Sequence, residues 1–203
     1  MKRATLNHSY RLVWNKTLGA FVAVAELARA QRKGGTAGAT ALLLSCLPLP
    51  ALATLPTGGT VEAGTGSISQ NGNAMTINQG SDKLAINWQS FSIGAGNSVT
   101  FNQPGSSSVA LNRVLGSDVS VIQGALNANG QVFLVNPNGV LFSPTAQVNV
   151  GSIVASTLNI STADFMAGNY RFEGNSSNAI INQGNIQAAN GGSIALIAAT
   201  ISN

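Results

Sequence analysis

The sequence lacks most residue types from which an active site is built. It contains one cysteine, Cys46, and one histidine, His8, and both precede Thr54. A chain that begins at Thr54 therefore has no disulfide, no Ser-His-Asp or Cys-His catalytic set, and no zinc site with His or Cys ligands. It also has neither a Gly-x-Ser-x-Gly elbow nor a phosphate-binding Gly-x-x-x-x-Gly-Lys-Ser/Thr loop. We therefore expect no enzyme activity, no metal and no cofactor.

Charge is scarce and unevenly distributed. The 203 residues include ten Lys and Arg against six Asp and Glu, a formal net charge of +4. Residues 1–53 hold seven of the basic residues and one acid, so the charge of residues 54–203 is 3 − 5 = −2. The basic character belongs to the N-terminal segment alone, and we exclude nucleic acid as a partner.

The first 53 residues have the layout of a secretory signal. Two basic clusters each precede a short apolar run, at 18–25 and at 41–47. The segment ends in Ala51-Leu52-Ala53, the small-x-small pattern that signal peptidase accepts, which predicts cleavage between Ala53 and Thr54. Neither run reaches the roughly 20 residues needed to span a bilayer. We expect a helical signal over residues 1–53, removed on export, and a mature domain over residues 54–203.

Two other targeting signals share some of these features. An organellar presequence is also basic, and Glu26 is the one acid before Thr54. The segment Leu43-Leu44-Ser45-Cys46 faintly resembles a lipidation site. The complete apolar run and the Ala-x-Ala site favour the secretory signal over both.

The rest of the chain has the texture of an all-β protein. Short β-branched or aromatic bursts are bounded by Gly, Asn, Ser or Pro and begin roughly every 8–12 residues. No window shows sustained helical spacing of apolar residues. The bursts lie at 98–101, 109–111, 119–122, 132–135, 140–142, 148–150, 153–154 and 194–197.

Many short, evenly spaced strands fit either a β-sandwich or barrel, or a β-solenoid. The segment 75–80 is echoed at 179–184, which favours the solenoid. The 20 Asn residues after Ala53 suit stacked corners, because Asn tolerates turns and its side chains can form ladders. At about 20–24 residues a coil, we expect about six or seven coils.

The two ends of this predicted rod differ. Residues 58–64 should form an N-terminal cap that covers the backbone edge of the first coil. Residues 192–203 break off within an apolar strand rhythm, with no charge or proline to end it. We therefore expect this chain to be a fragment of a longer rod.

One segment of the signal is more specific than its charge pattern. Tyr10, Arg11, Trp14, Asn15 and Lys16 stand in a charged and apolar context, and a mostly apolar stretch follows at 22–30. This segment resembles the extended signal peptide region of bacterial type V secretion exoproteins.

The sharpest later motif is Asn136-Pro137-Asn138-Gly139, which predicts a tight turn between two buried strands. It follows the pair Asn112-Arg113 and several ordered segments. This order resembles the filamentous haemagglutinin-type secretion domain of two-partner secretion, over about residues 55–200. The ordered segments are 87–94, 99–104, 110–114 and 122–130.

The resemblance implies a right-handed parallel β-helix that heads a large exoprotein of a Gram-negative bacterium. It also implies a partner, an outer-membrane β-barrel transporter with periplasmic recognition domains, through which the chain crosses unfolded before folding outside. Asn112, Arg113 and the Asn136–Gly139 turn are then the candidate secretion residues. Arg113 could instead be an exposed charge beside a strand. Trp88 and Phe91 are expected in the core.

Other functions stay open at this point. The exoprotein could be an adhesin that binds a host-cell glycan or surface receptor, or the head of a contact-dependent toxin. A polysaccharide lyase-like β-helix would need a base and clustered acids, and Asp82, Lys83 and Asp118 are the residues that could converge for it.

Overall fold

The computed structural model describes residues 10–15, 20–25 and 55–203. In the first two ranges, β1 (Tyr10–Asn15) and β2 (Ala20–Ala25) form an antiparallel pair. The expected helical signal is therefore not what these two ranges form, and their content of Val, Phe, Trp and Tyr explains the strand preference. Lys16 and the predicted cleavage residues Ala51, Ala53 and Thr54 lie outside the described residues.

Residues 55–203 are built almost entirely from short strands, together with one six-residue helix. The elements are β3 (Thr60–Ala63), β4 (Gly66–Asn71), β5 (Ala74–Gln79), β6 (Lys83–Trp88), β7 (Ser98–Asn102), β8 (Val109–Val114), β9 (Ser120–Ile122), β10 (Ala125–Ala128), β11 (Gln131–Val135), β12 (Val140–Phe142), β13 (Gln147–Val150), β14 (Ser152–Ser156), α1 (Thr162–Ala167), β15 (Ala179–Asn182), β16 (Asn185–Ala188), β17 (Ile194–Ile197) and β18 (Thr200–Ser202).

These strands wind into a parallel β-solenoid, as the sequence predicts. Its coils contribute strands to three sheets, and strands of successive coils pair in parallel. The first sheet stacks β5, β7, β10, β13 and β16, the second stacks β6, β8, β11, β14 and β17, and the third stacks β9, β12, β15 and β18. The solenoid has about five turns. The expectation of six or seven was too high, because residues 55–71 and 157–178 do not contribute coils.

The N-terminal cap is confirmed. Strand β3 pairs antiparallel with β6, and β4 pairs antiparallel with β5, so both sheets end in a strand that runs against the coils. A further antiparallel bridge joins Thr57 to Ser90. The cap therefore occupies the backbone edge that the first coil would otherwise expose.

The echo between residues 75–80 and 179–184 led to the right architecture for the wrong reason. The first copy lies on β5 in the first sheet, whereas the second lies on β15 in the third sheet, so the two copies do not stack. The predicted side-chain ladder occurs between adjacent coils instead. Asn102 Nδ2 donates to Asn78 Oδ1 at 2.9 Å, one coil away.

Aliphatic and aromatic side chains fill the solenoid interior. Trp88 and Phe91 are each 1% exposed and meet edge to face with ring centroids 5.5 Å apart, which confirms their core position. Strand β13 alternates exposed and buried residues, as expected for one covered face. Strands β8 and β11 differ, because nearly all of their residues are buried on both faces.

The second face of these strands is covered by residues 157–178, which we call the strap. It includes α1, and its Ile160 and Phe165 pack on apolar residues of the second sheet. This helix was not among the elements predicted from the sequence, although a capping box indicates it. Ser161 Oγ accepts from the Asp164 backbone N–H, and Gly168 ends the helix at φ 84°. In the described ranges, no helix is long and apolar enough to cross a membrane.

Glycines line the corner between the first and second sheets. Gly151 donates its backbone N–H to Gly130 O at 2.8 Å, and a Cβ on Gly151 would lie only 2.5 Å from that oxygen. A Cβ on Gly192 would lie 1.9 Å from Gly151 O in turn. Backbone therefore stacks directly on backbone at this corner over three successive coils.

Candidate functional site

The two motifs singled out in the sequence come together at one corner of the solenoid. Asn112 and Arg113 lie near the end of β8 in the second coil, and the Asn136–Gly139 turn joins β11 to β12 in the third. A surface cavity of about 330 Å³ lies between them, with Arg113, Pro137 and Asn138 in its wall. The structure thus places both predicted segments in a single site.

Asn112 is fully buried, which is unusual for an amide side chain. Its Oδ1 accepts a hydrogen bond of 3.0 Å from Trp88 Nε1, and its Nδ2 donates to Ala110 O at 3.3 Å and to Phe133 O at 3.4 Å. The side chain therefore links the first, second and third coils inside the core. A buried polar group with all of these partners fixes the register of the coils around it.

Arg113 is almost as enclosed, since only 11% of its side chain is exposed. Its Nη1 forms a salt bridge of 2.9 Å with Glu62 Oε2 in the cap and also donates to Thr162 Oγ1 at 3.1 Å. Its Nη2 donates to Ile160 O at 2.6 Å, and its Nε donates to Asn159 Oδ1 at 3.0 Å. The expectation of an exposed charge beside a strand is wrong, because the guanidinium is held by the cap and by the strap.

The partners of Arg113 were not identified from the sequence. Glu62 precedes it by 51 residues and Thr162 follows it by 49. The available signal was the scarcity of charge after Ala53, because an isolated arginine in a nearly uncharged rod is a candidate for a specific ion pair.

Asn136 is the fully buried first residue of the predicted turn. The turn closes with a hydrogen bond of 3.0 Å from Gly139 N–H to Asn136 O, and Asn136 Oδ1 accepts from Asn138 N–H at 2.9 Å. Asn136 Nδ2 reaches into the preceding coil and donates to Asp118 O and Ser120 Oγ, both at 2.9 Å. The side chain therefore shapes its own turn and joins it to the coil before.

The other turn residues extend these links in both directions. Asn138 Nδ2 donates to Gly116 O in the second coil at 2.8 Å. Pro137 O accepts from Ser176 Oγ at 2.6 Å and from Asn178 Nδ2 at 2.8 Å, at the end of the strap. The turn is therefore connected to the coil before it and to the segment that leads into the coil after it.

Gly139 is required at the end of the turn for two reasons. Its φ of 110° lies in a region that residues with a Cβ rarely adopt. A Cβ at this position would also lie 3.0 Å from Ala179 O in the next coil. The sequence prediction of a glycine-dependent turn is consistent with both observations.

The residues considered for lyase chemistry have structural partners. Lys83 Nζ donates to Met166 O at 2.8 Å and lies 5.8 Å from the ring centroid of Tyr170. The backbone oxygen of Asp118 accepts from Asn136. Within residues 10–15, 20–25 and 55–203, no group of three or more His, Cys, Asp or Glu is placed to hold a metal ion.

Comparison with known families divides the chain into two matched regions. Residues 7–54 match the family described as the extended signal peptide of type V secretion systems, and residues 53–203 match the TPS secretion domain. The second match covers most of the chain, and it contains both candidate motifs.

Similar proteins are found in Haemophilus influenzae. The chain is 46% identical over 106 residues to a heme/hemopexin-binding protein of strain Rd KW20 and 47% identical over 98 residues to a second protein of that name. These segments cover 52% and 48% of this chain but only 12% and 11% of the relatives. The crystal structure of the HMW1 secretion domain superposes with a TM-score of 0.66 and 36% identity, covering 70% of this chain and 38% of that one.

The matched regions also indicate the cellular destination of the protein. An extended signal peptide followed by a TPS domain indicates Sec-dependent export and secretion to the surface or surroundings of a Gram-negative bacterium. A TPS domain also implies an outer-membrane transporter as its partner. The chain belongs to the TPS secretion domain family and carries the secretion module of a two-partner exoprotein.

Proposed function

We propose that residues 54–203 are a non-enzymatic module that directs an exoprotein to its outer-membrane transporter and nucleates β-helix folding at the cell surface. In this proposal signal peptidase cleaves between Ala53 and Thr54, and the periplasmic domains of the transporter recognise the released segment. The family match supports the transporter, and the proposal extends it to the roles of particular residues.

The observation that carries the nucleation role is the hydrogen bonding of the Asn136–Gly139 turn. Its side chains bind Gly116, Asp118 and Ser120 in the preceding coil. These partners lie 16 to 22 residues away in sequence. Contacts between adjacent coils need little loop closure, so a solenoid can grow coil by coil once one well-bonded corner has formed.

The composition suits passage of an unfolded chain. Residues 54–203 contain no cysteine, so no disulfide can form before translocation. Asn112 and Asn136 bury amides that form hydrogen bonds to residues of neighbouring coils. Their hydrogen bonds therefore form, and stabilise the fold, once the neighbouring coils are in place.

Receptor binding is assigned here to the larger exoprotein. The heme/hemopexin-binding relatives extend far beyond the matched segment, which makes up 12% and 11% of their length. We propose that this module delivers an adhesin-like or ligand-binding exoprotein, and that a host glycan or surface receptor is bound outside the secretion domain. The lyase alternative is not favoured, because its candidate base Lys83 is bound to the strap.

The proposal is tested by secretion of the exoprotein from cells that also produce its own transporter. Asn136→Ala should lower the amount in the medium and raise the amount degraded in the periplasm, because the turn loses its bonds to the preceding coil. Asn127→Ala is a matched control, since this half-exposed amide lies on β10, away from the turn. Normal export of the Asn136→Ala protein would contradict the nucleation role.

Recognition by the transporter is measured separately from folding. The periplasmic domains of the transporter should bind the purified chain, and the signal-bearing precursor of an unrelated periplasmic protein is the control. Absence of any interaction would contradict the targeting role and would leave the folding role to be judged by the secretion experiment alone.

A further inference from the structure

We propose that the strap, residues 157–178, opens and closes as a unit over the second sheet, and that Arg113 is the latch that holds it closed. The latch consists of the contacts of Arg113 with Glu62 in the cap and with Asn159, Ile160 and Thr162 in the strap. The device is a property of the folded chain and does not depend on the proposed secretion role.

The face of the second sheet that the strap covers is apolar. Buried residues of the second sheet face outward beneath it and pack against Ile160 and Phe165. Phe133 lies at the centre, with ring centroids 6.0 Å from Phe165 and 4.9 Å from Tyr170. The covered residues are Ala85, Val109, Leu111, Phe133 and Val135. Opening the strap would turn this face into a contiguous apolar patch.

The strap itself has few of the contacts that stabilise the coils. Its buried side chains are Thr157, Ile160 and Phe165, whereas Tyr170 is 41% exposed. Between Thr157 and Asn178 the chain forms no ladder with the sheets, and one isolated antiparallel bridge joins Asn159 to Glu173 within the strap. Segments with few buried apolar contacts and exposed backbone open at lower free energy than the core they cover.

Polar contacts at three places hold the strap down. Arg113 binds its beginning, Lys83 binds the end of α1 through Met166 O, and Pro137 O accepts from Ser176 and Asn178 at its far end. The Arg113 contacts are the most enclosed, and Thr162 Oγ1 also donates to Glu62 Oε1 at 2.9 Å. A charge-assisted network of this kind is stronger than neutral hydrogen bonds at an exposed site.

The latch and the Asn136–Gly139 turn border the same cavity. Opening would therefore uncover the apolar face next to the motif corner, while the parallel ladders of the second sheet remain paired underneath. The protein would then have two surfaces at one place, a polar one with the strap closed and an apolar one with it open.

Hydrogen exchange of the purified chain tests this device, because it resolves the strap from the sheet beneath. Arg113→Lys and Glu62→Gln should each speed exchange in strap peptides by about tenfold, as expected for loss of an ionic hydrogen bond. Peptides from β8 and β11 should keep their slow exchange. Glu62→Gln leaves the contacts of Arg113 with Asn159 and Ile160 in place, so it is the gentler of the two changes.

The strap contains its own matched control. Arg171 and Glu173 also form a salt bridge, but their side chains are 76% and 64% exposed. Arg171→Gln should therefore leave strap exchange unchanged. The proposal is overturned if exchange in the strap of both latch variants is as slow as in the unaltered chain. It is also overturned if exchange in β8 and β11 speeds up by the same factor as exchange in the strap.

Discussion

Trp88 and Asn112 are joined inside the core by a hydrogen bond of 3.0 Å from the indole Nε1 to the amide Oδ1. Trp88 belongs to the first coil and Asn112 to the second, and both are buried. Each side chain brings a polar group into an apolar interior, and the hydrogen bond between them offsets the free-energy cost of burying both groups. The pair therefore depends on the two coils being stacked in the observed register.

Asn112→Ala should destabilise the fold by about 1–3 kcal/mol, because it leaves Trp88 Nε1 buried without a partner. Urea unfolding followed by tryptophan fluorescence measures this directly, since Trp88 is the one tryptophan after Ala53. Asn127→Ala, on a half-exposed position of β10, should change the midpoint little. Equal midpoints for the Asn112→Ala and unaltered proteins would show that the buried bond contributes nothing.

The two asparagines of the turn should differ in importance. Asn136→Ala removes the partners of Asp118 O, Ser120 Oγ and Asn138 N–H, whereas Asn138→Ala removes the bond to Gly116 O and one side-chain contact. We expect a loss of about 2 kcal/mol or more for Asn136→Ala and about 1 kcal/mol for Asn138→Ala. Urea midpoints of both variants check the order, and a larger effect of Asn138→Ala would contradict it.

The glycine corner predicts a steric effect that is independent of hydrogen bonding. Gly151→Ala would place a Cβ 2.5 Å from Gly130 O, so the stacked coils must separate, at a cost of about 1–3 kcal/mol. Gly105→Ala is the control, because a Cβ there has nothing within 4 Å. Thermal unfolding should separate the two variants clearly, and equal melting temperatures would mean that the corner relaxes freely.

Alkaline pH should weaken the fold through Tyr170. Burial raises the pKa of Tyr170 above its ordinary value of 10.0, because the phenolate is less well solvated against Phe133 and Phe165 than in the unfolded chain. The unfolded chain therefore ionises first, and stability falls as the pH rises through and beyond about 10. Urea midpoints across this range measure the fall, and Tyr170→Phe should remove this contribution.

The solenoid was predictable because its signals are local and repeated. Bursts such as 132–135 and the turn at Asn136 depend on β propensity and on the backbone preferences of Pro, Asn and Gly. The burial of Trp88 follows from its size and apolar surroundings. These features need no knowledge of distant parts of the chain.

The arrangement around Arg113 was not predictable in the same way. Its partners Glu62 and Thr162 come from the cap and the strap, and nothing periodic in the sequence connects them. The number of coils was overestimated for the same reason, since residues 157–178 have the length of a coil but fold back across the second sheet. The capping box at Ser161 and Asp164 was the local sign of this change.

The strap leaves the solenoid at the corner between the second and third sheets, yet the stacking on either side of it is undisturbed. Strand β14 still pairs in register with β11, and β15 still pairs in register with β12. Coil register is thus independent of loop length at this corner, whereas the corner at Gly130 and Gly151 has no room even for a Cβ on Gly151. Insertions and grafted peptides should accordingly be tolerated at the corner between the second and third sheets and should disrupt the glycine corner between the first and second sheets. The scaffold can therefore gain new surface loops at the tolerant corner without altering the backbone of its coils.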